Sequence, residues 1–234
     1  QELTVDAFIP NDTFTAEGSR VALITGANCS GKSVYLKQAR AHPLNDAVGV
    51  IVYLAHVGAF VPAERAVIGL TDRIFTRIST VETSAVPQSA FTIDANQVAH
   101  MIRSSTDRSL LLIDEFGKGT APVDGIALVA ALIRHLSRVG RTCLFTLHFH
   151  EVFSQGLVKV RGQNDMQTEL HGVTVFRMEV QRPQSTNCPT RDPMGEGVVG
   201  DEDGATSLPL PIFKLTPGIT STSHGIACAQ IAGE

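Results

Sequence analysis

Apolar residues recur in short, nearly unbroken runs separated by longer stretches of mixed polarity. Residues 21–25 (VALIT) form one such run, ended by glycine, and predict a buried strand. Residues 109–114 (SLLLID) and 141–148 (RTCLFTLH) predict a second and a third. Between them the period lengthens. Residues 32–38 predict a helix, which Pro43 and Asn45 in the polar stretch 39–47 keep from continuing. Apolar character resumes over 48–60. Residues 124–136 (DGIALVAALIRHL) have helical spacing and an acidic first turn. Strands alternating with helices predict an α/β chain with a mostly parallel sheet. Later, 172–180 (GVTVFRMEV) alternates like a half-exposed strand. Residues 210–215 (LPIFKL) are expected to pair with it across 181–209, which is rich in Pro, Gly, Ser, Thr and acids and reads as a loop or disordered insert. Residues 223–233 predict a short helix.

Composition narrows this picture little. The 234 residues are 43% hydrophobic, enough for a core, and the net charge of -4 offers no global basic field for nucleic acid. The apolar run near residues 48–54 is too short to span a bilayer, so no membrane partner is expected. No secretory leader is visible, and because Gln1 is not a start residue the chain is expected to be a piece of a longer protein. Cys29, Cys143, Cys188 and Cys228 form no C-x-x-C pair, which predicts reduced thiols rather than a zinc knuckle or disulfide framework.

The chemistry begins at GANCSGKS, from Gly26 to Ser33. Gly26 and Gly31 leave room for backbone N–H groups to wrap a polyphosphate. Lys32 reaches the outer phosphates as a point charge, and the Ser33 hydroxyl is one ligand of Mg²⁺. A chance glycine turn would lack the strand before and the helix after. Cys29 and Ser30 are small residues that such a loop accepts. Clustered N–H donors and Lys32 favour the Cys29 thiolate. Alkylation of Cys29 is therefore expected to block ATP binding, and Mg-ATP to protect the thiol; equal labelling with and without Mg-ATP would contradict this. Asp114 ends the second strand and is placed to hold Mg²⁺ through water, while Glu115 orients or deprotonates the attacking water. His148 follows the third strand, where a residue senses a terminal phosphate or positions water; an uninvolved histidine at a strand end is the competing reading. His148 and His150, two apart on one strand face, form a candidate metal set with Glu151, but no further close ligand supports it.

The order FIPN, GANCSGKS, VGAFVPAERAVIG, DRIFTRI, SAFTIDANQVA, LIDEFGKGTAPVDG, LHFHEVF and LTPGITSTSHGIACAQIAG resembles the ATPase domain of the MutS family. GKSVYLKQ, GAFVPAE and LIDEFGKGT…VDG are most like its meiotic branch, MutS homologue five; the mismatch-repair branches more often carry Leu or Ile at Phe116 and Arg at Lys118. The resemblance implies a P-loop NTPase of the ABC/MutS type, a mostly parallel sheet flanked by helices with a peripheral antiparallel hairpin. Residues 1–234 would be one ATPase domain, with an insertion at 39–47 and the loop at 181–209. It implies ATP and Mg²⁺ as cofactors. Phe8 and Ile9 would pack on adenine and Phe213 would cover the base, although core packing explains both phenylalanines from sequence alone. Asn28 would touch the terminal phosphate and Ser89 the γ-phosphate of a partner subunit, across a seam at 117–125. Ala27 stands where the family usually has proline, Ser30 where glycine is frequent and Ala90 where threonine follows the serine.

Carried to the whole protein, the resemblance implies a nuclear, chromosome-associated ATPase of meiotic recombination. Its partner would be MutS homologue four, on double-stranded DNA or Holliday junctions gripped by regions outside this chain. The rivals are a mismatch-repair subunit of the same fold and an ATP-dependent structural clamp with negligible hydrolysis. A transporter-type ABC ATPase would need an LSGGQ-like stretch, and SAFTIDANQ stands there instead.

Overall fold

The computed structural model describes residues 11–13, 18–28, 30–37, 48–78, 89–160, 170–181 and 210–220. Its frame is a six-stranded sheet of β1 (Val21–Thr25), β2 (Arg73–Arg77), β3 (Ser109–Asp114), β4 (Thr142–Thr146), β5 (Val173–Gln181) and β6 (Leu210–Pro217), ordered β2-β3-β4-β1-β5-β6. All pairings are parallel except β5 with β6, which is antiparallel. The expected fold class and its peripheral hairpin are therefore both present.

Strands β1 and β3 are buried along their whole length, as expected where helices cover both faces of a parallel sheet. Leu23, Leu111, Ile113 and Phe145 enter one core with Val98 and Met101 of α3 (Ala90–Ser104) and Val129, Ile133 and Leu136 of α4 (Pro122–Val139). Ile24, Leu112 and Leu144 face the other side, against Tyr35 and Leu36 of α1 (Lys32–Lys37) and Val52 of α2 (Val48–His56). Each fully buried aliphatic side chain contributes roughly 1.5–3 kcal/mol through the water it sheds.

Several boundaries differ from expectation for identifiable reasons. Helix α4 starts two residues early because Pro122 is tolerated at its first position, and it runs on until Gly140 turns left-handed at φ 68°. Strand β4 stops at Thr146 rather than at 148, although Leu147 N–H still donates to Ile24 O at 2.8 Å. The chain then turns into the short helix α5 (Glu151–Ser154), with His150 at its N-cap position. His148 and His150 therefore do not share a strand face. Among the described residues no cluster of three or more His, Cys, Asp or Glu is placed to hold a metal ion. Strand β5 includes Gln181, pairing with Leu210, so the hairpin extends one residue into the expected loop. The predicted insertion at 39–47, the rest of the loop to 209 and the helix at 223–233 lie outside the described residues. Among the described residues no helix is long and apolar enough to cross a membrane.

Candidate active site

The carboxyl ends of β1, β3 and β4 meet at one edge of the sheet. Parallel register sets Ile24 and Asp114 on either side of Thr146. Ligand sites of open α/β sheets form at such an edge. The chain leaves β1 at Gly26, where a Cβ would lie 2.7 Å from Ser30 Oγ and 2.9 Å from Met178 Cβ. Gly31 has φ 94°, and a Cβ there would meet the Phe213 ring at 2.8 Å. Both positions thus require glycine, for close approach at the first and for conformation and contact at the second.

Lys32 is buried and turns its ammonium into the loop, donating to Gly26 O at 2.6 Å and Ala27 O at 2.9 Å. Burial lowers its pKa, offset in part by the charges of Glu115 and Asp114. Ser33 Oγ donates to Asp114 Oδ1 at 3.0 Å, and Thr146 Oγ1 donates to the same oxygen at 2.6 Å. Asp114 is itself buried, and Arg77 donates to its main-chain carbonyl while pairing with Asp94.

Glu115 follows in the left-handed region, φ 49°. Its N–H is held by Thr146 O and Oγ1, each at 3.1 Å. This kink swings its carboxylate toward the loop, with Oε1 3.7 Å from Lys32 Nζ and Oε2 2.6 Å from Lys118 Nζ. Burial alone would raise its pKa, but the Lys118 hydrogen bond and charge, with Lys32 and His148, outweigh that and hold it below the usual range. Glu115 is an ionised acceptor at neutral pH.

His148 is half-buried and packs edge-on against Phe149, with ring centroids 5.6 Å apart. Burial lowers the pKa of His148 and of His150, reinforced by Lys118 at the first and Lys32 at the second. The unfolded chain therefore binds these protons at higher pH than the folded one. The stability the two neutral rings supply is full above about 6.5 and is lost as pH falls through and below that value. A series of thermal midpoints from pH 8 to pH 5 is expected to show this fall. A His148→Gln, His150→Gln double variant should flatten it, and an unchanged slope would contradict the assignment.

Phe213 lies over Gly31, half-exposed, in the left-handed region at φ 58° where β5 and β6 slip register. Asn11 fixes that distortion from both sides: its Nδ2 donates to Phe213 O at 2.8 Å and its Oδ1 accepts from Leu215 N–H at 2.7 Å. Sequence reading placed Phe213 near the base but gave Asn11 no role beyond the FIPN match. It also missed Thr146, Lys118 and Arg77. Position at a strand end beside Asp114 is the one signal that points to Thr146.

The structure therefore brings Gly26, Gly31, Lys32, Ser33, Asp114, Glu115 and Phe213 together, with His148 at the margin and Asn28 half-buried in the loop's turn. Ser89 is exposed and serves as the N-cap of α3, accepting from Thr92 N–H at 3.2 Å. Phe8, Ile9 and Cys29 lie outside the described residues. The donor set fits a magnesium nucleotide. A hydroxyl and a carboxylate converge as hard oxygen ligands, an ammonium lies beside the loop amides, and Ser30 Oγ is buried in the loop with no hydrogen-bond partner among the described residues.

Residues 22–188 match MutS domain V. The chain is 36% identical to MutS protein homolog 5 of Saccharomyces cerevisiae over 246 aligned positions, covering 99% of the chain and 25% of that protein. It is 35% identical to DNA mismatch repair protein MutS of Halothermothrix orenii, covering 100% of the chain and 22% of that protein. To the protein of the same name from Thermosynechococcus vestitus it is 40% identical, again over 100% of the chain and 22% of the relative. The chain thus spans a quarter or less of the length of these curated relatives.

Proposed function

The chain belongs to the MutS family, as its domain V, and we propose that it binds and hydrolyses ATP for a DNA-acting protein of meiotic recombination. The observation that carries this reading is the convergence of Ser33 and Asp114, 3.0 Å apart, beside Lys32 and Glu115 at the mouth of a glycine loop.

Each residue then has a task. Loop amides from Gly26 to Ser33, with Asn28, Cys29 and Ser30, cradle the phosphates. Lys32 exchanges its two carbonyl partners for phosphate oxygens. Ser33 and Asp114 hold Mg²⁺, and Thr146 fixes the carboxylate that does so. When bound, the ion neutralises charge that builds on the phosphates during transfer. Glu115 takes a proton from water, or orients it, as the phosphoanhydride bond breaks; His148, neutral at pH 7, completes the polar rim beside it. Phe213, with Phe8 and Ile9, covers the base. Ser89 serves the nucleotide of a partner subunit. The domain is a single ATPase unit over residues 1–234, interrupted at 39–47 and 181–209.

For the whole protein we place this module in a heterodimer with MutS homologue four, in the nucleus and on chromosomes, closing on double-stranded DNA or recombination junctions when ATP binds. ATP drives closure only if it binds the closed dimer better than the open one. The likeness to MutS protein homolog 5 and the motifs GAFVPAE and LIDEFGKGT favour this branch. A mismatch-repair subunit is the second reading, favoured by the likeness to bacterial MutS proteins. Capture of the full-length protein with and without ATP decides between them. Recovery of MutS homologue four, altered by ATP, supports the meiotic assignment, and recovery of a mismatch-repair subunit overturns it.

A further inference from the structure

Both oxygens of the Glu115 carboxylate face ammonium groups. Lys118 Nζ donates to Oε2 at 2.6 Å, and Lys32 Nζ lies 3.7 Å from Oε1. The backbone brings Lys118 there. It stands between Gly117 at φ 94° and Gly119 at φ 91°, so the chain folds back on itself within three residues of Glu115. Gly117 has little room for a side chain, because a Cβ would sit 3.1 Å from Val129 and 3.2 Å from Gly125 O. The turn is thereby held, and with it the reach of Lys118. The Lys118 side chain is 44% exposed, so it can leave without unpacking the core.

A carboxylate that accepts a proton from water, or orients it, must offer that water a lone pair. The shortest side-chain contact of Glu115 points elsewhere, to Lys118. We infer that Lys118 is a resting restraint on Glu115, so that only molecules in which Lys118 has let go are competent for hydrolysis. This rests on the reading of Glu115 as the hydrolytic base. Lys118 is a positioning residue: it acts through Glu115 and need not touch the nucleotide. The basal rate scales with the released fraction, whereas nucleotide affinity, set by the loop and Lys32, does not.

The test uses the full-length protein with its partner subunit and without DNA, as wild type, Lys118→Met, Lys118→Arg and Glu115→Gln. The kcat and KM for ATP hydrolysis are measured for each. Removing a half-exposed ion pair should raise kcat of Lys118→Met about fivefold with KM unchanged. Lys118→Arg should return kcat toward wild type. A kcat for Lys118→Met at or below wild type overturns the restraint, provided that Glu115→Gln is inactive. If Glu115→Gln hydrolyses ATP as well as wild type, the role of Glu115 itself is wrong and the restraint falls with it. A structural role for Lys118 would only lower kcat, so the direction of the change separates the two.

Discussion

Replacing Glu115 by glutamine is expected to lower ATP hydrolysis by about 10²- to 10⁴-fold while leaving ATP bound. The side chain keeps its size and loses its charge and basicity. Its backbone is fixed independently, since the N–H is held by Thr146 O and Oγ1 and the left-handed φ belongs to the turn, not to the carboxylate. The loop and the Ser33–Asp114 pair are untouched, and Lys32 loses only its 3.7 Å ion pair with Glu115 while keeping Gly26 O and Ala27 O, so binding should persist. Single-turnover hydrolysis and fluorescent-ATP binding, measured on the full-length protein with its partner, separate the two effects. Equal, slow turnover by wild type and variant would favour an ATP-dependent structural clamp over an enzyme.

The second large effect concerns Lys32. Lys32→Met should weaken ATP binding by about 3 kcal/mol, roughly 150-fold, because phosphate oxygens lose their one buried ammonium partner in the loop. Folding should survive. In the free protein Lys32 is a desolvated charge whose pKa is lowered by burial, so removing it relieves a cost that offsets the two hydrogen bonds lost to Gly26 O and Ala27 O. Lys32→Arg should not rescue binding, since a planar fork does not fit a pocket shaped around a single ammonium. Calorimetric titration with Mg-ATP checks the affinity, and thermal unfolding without nucleotide checks the fold. Wild-type affinity in Lys32→Met would place the phosphates somewhere other than this loop.

The strands that carry the site were legible because they are buried on both faces. VALIT and SLLLID are continuous apolar runs; the first runs into the glycine loop and the second ends on Asp114, both in the candidate site. Helix α4 was legible from its spacing and only its ends were off. Strand β2 and helix α3 were not read. RIFTR is a short edge strand whose terminal arginines mask its pattern, and AFTIDANQVAHMIRS buries Asp94 against Arg77, a polar residue where a helix face is usually apolar. The loop, Asp114, Glu115 and Phe213 follow from local motifs or from resemblance. Thr146, Asn11 and Lys118 act through partners distant in sequence or through backbone turns that no local pattern states. The paired histidines show the reverse error: their spacing suggests one strand face, but β4 ends at Thr146 and the chain turns first.

Ser33 and Asp114 are expected to make this loop a site for ATP with Mg²⁺. Titration of a fluorescent ATP analogue into the full-length protein, with Mg²⁺ and with EDTA, for wild type and Asp114→Asn, tests it most directly. Mg²⁺ is expected to tighten binding or slow nucleotide release in wild type, and Asp114→Asn to lose this dependence while still binding the metal-free nucleotide. Wild-type binding that is the same with Mg²⁺ and with EDTA, or a Mg²⁺ effect unchanged in Asp114→Asn, would contradict it.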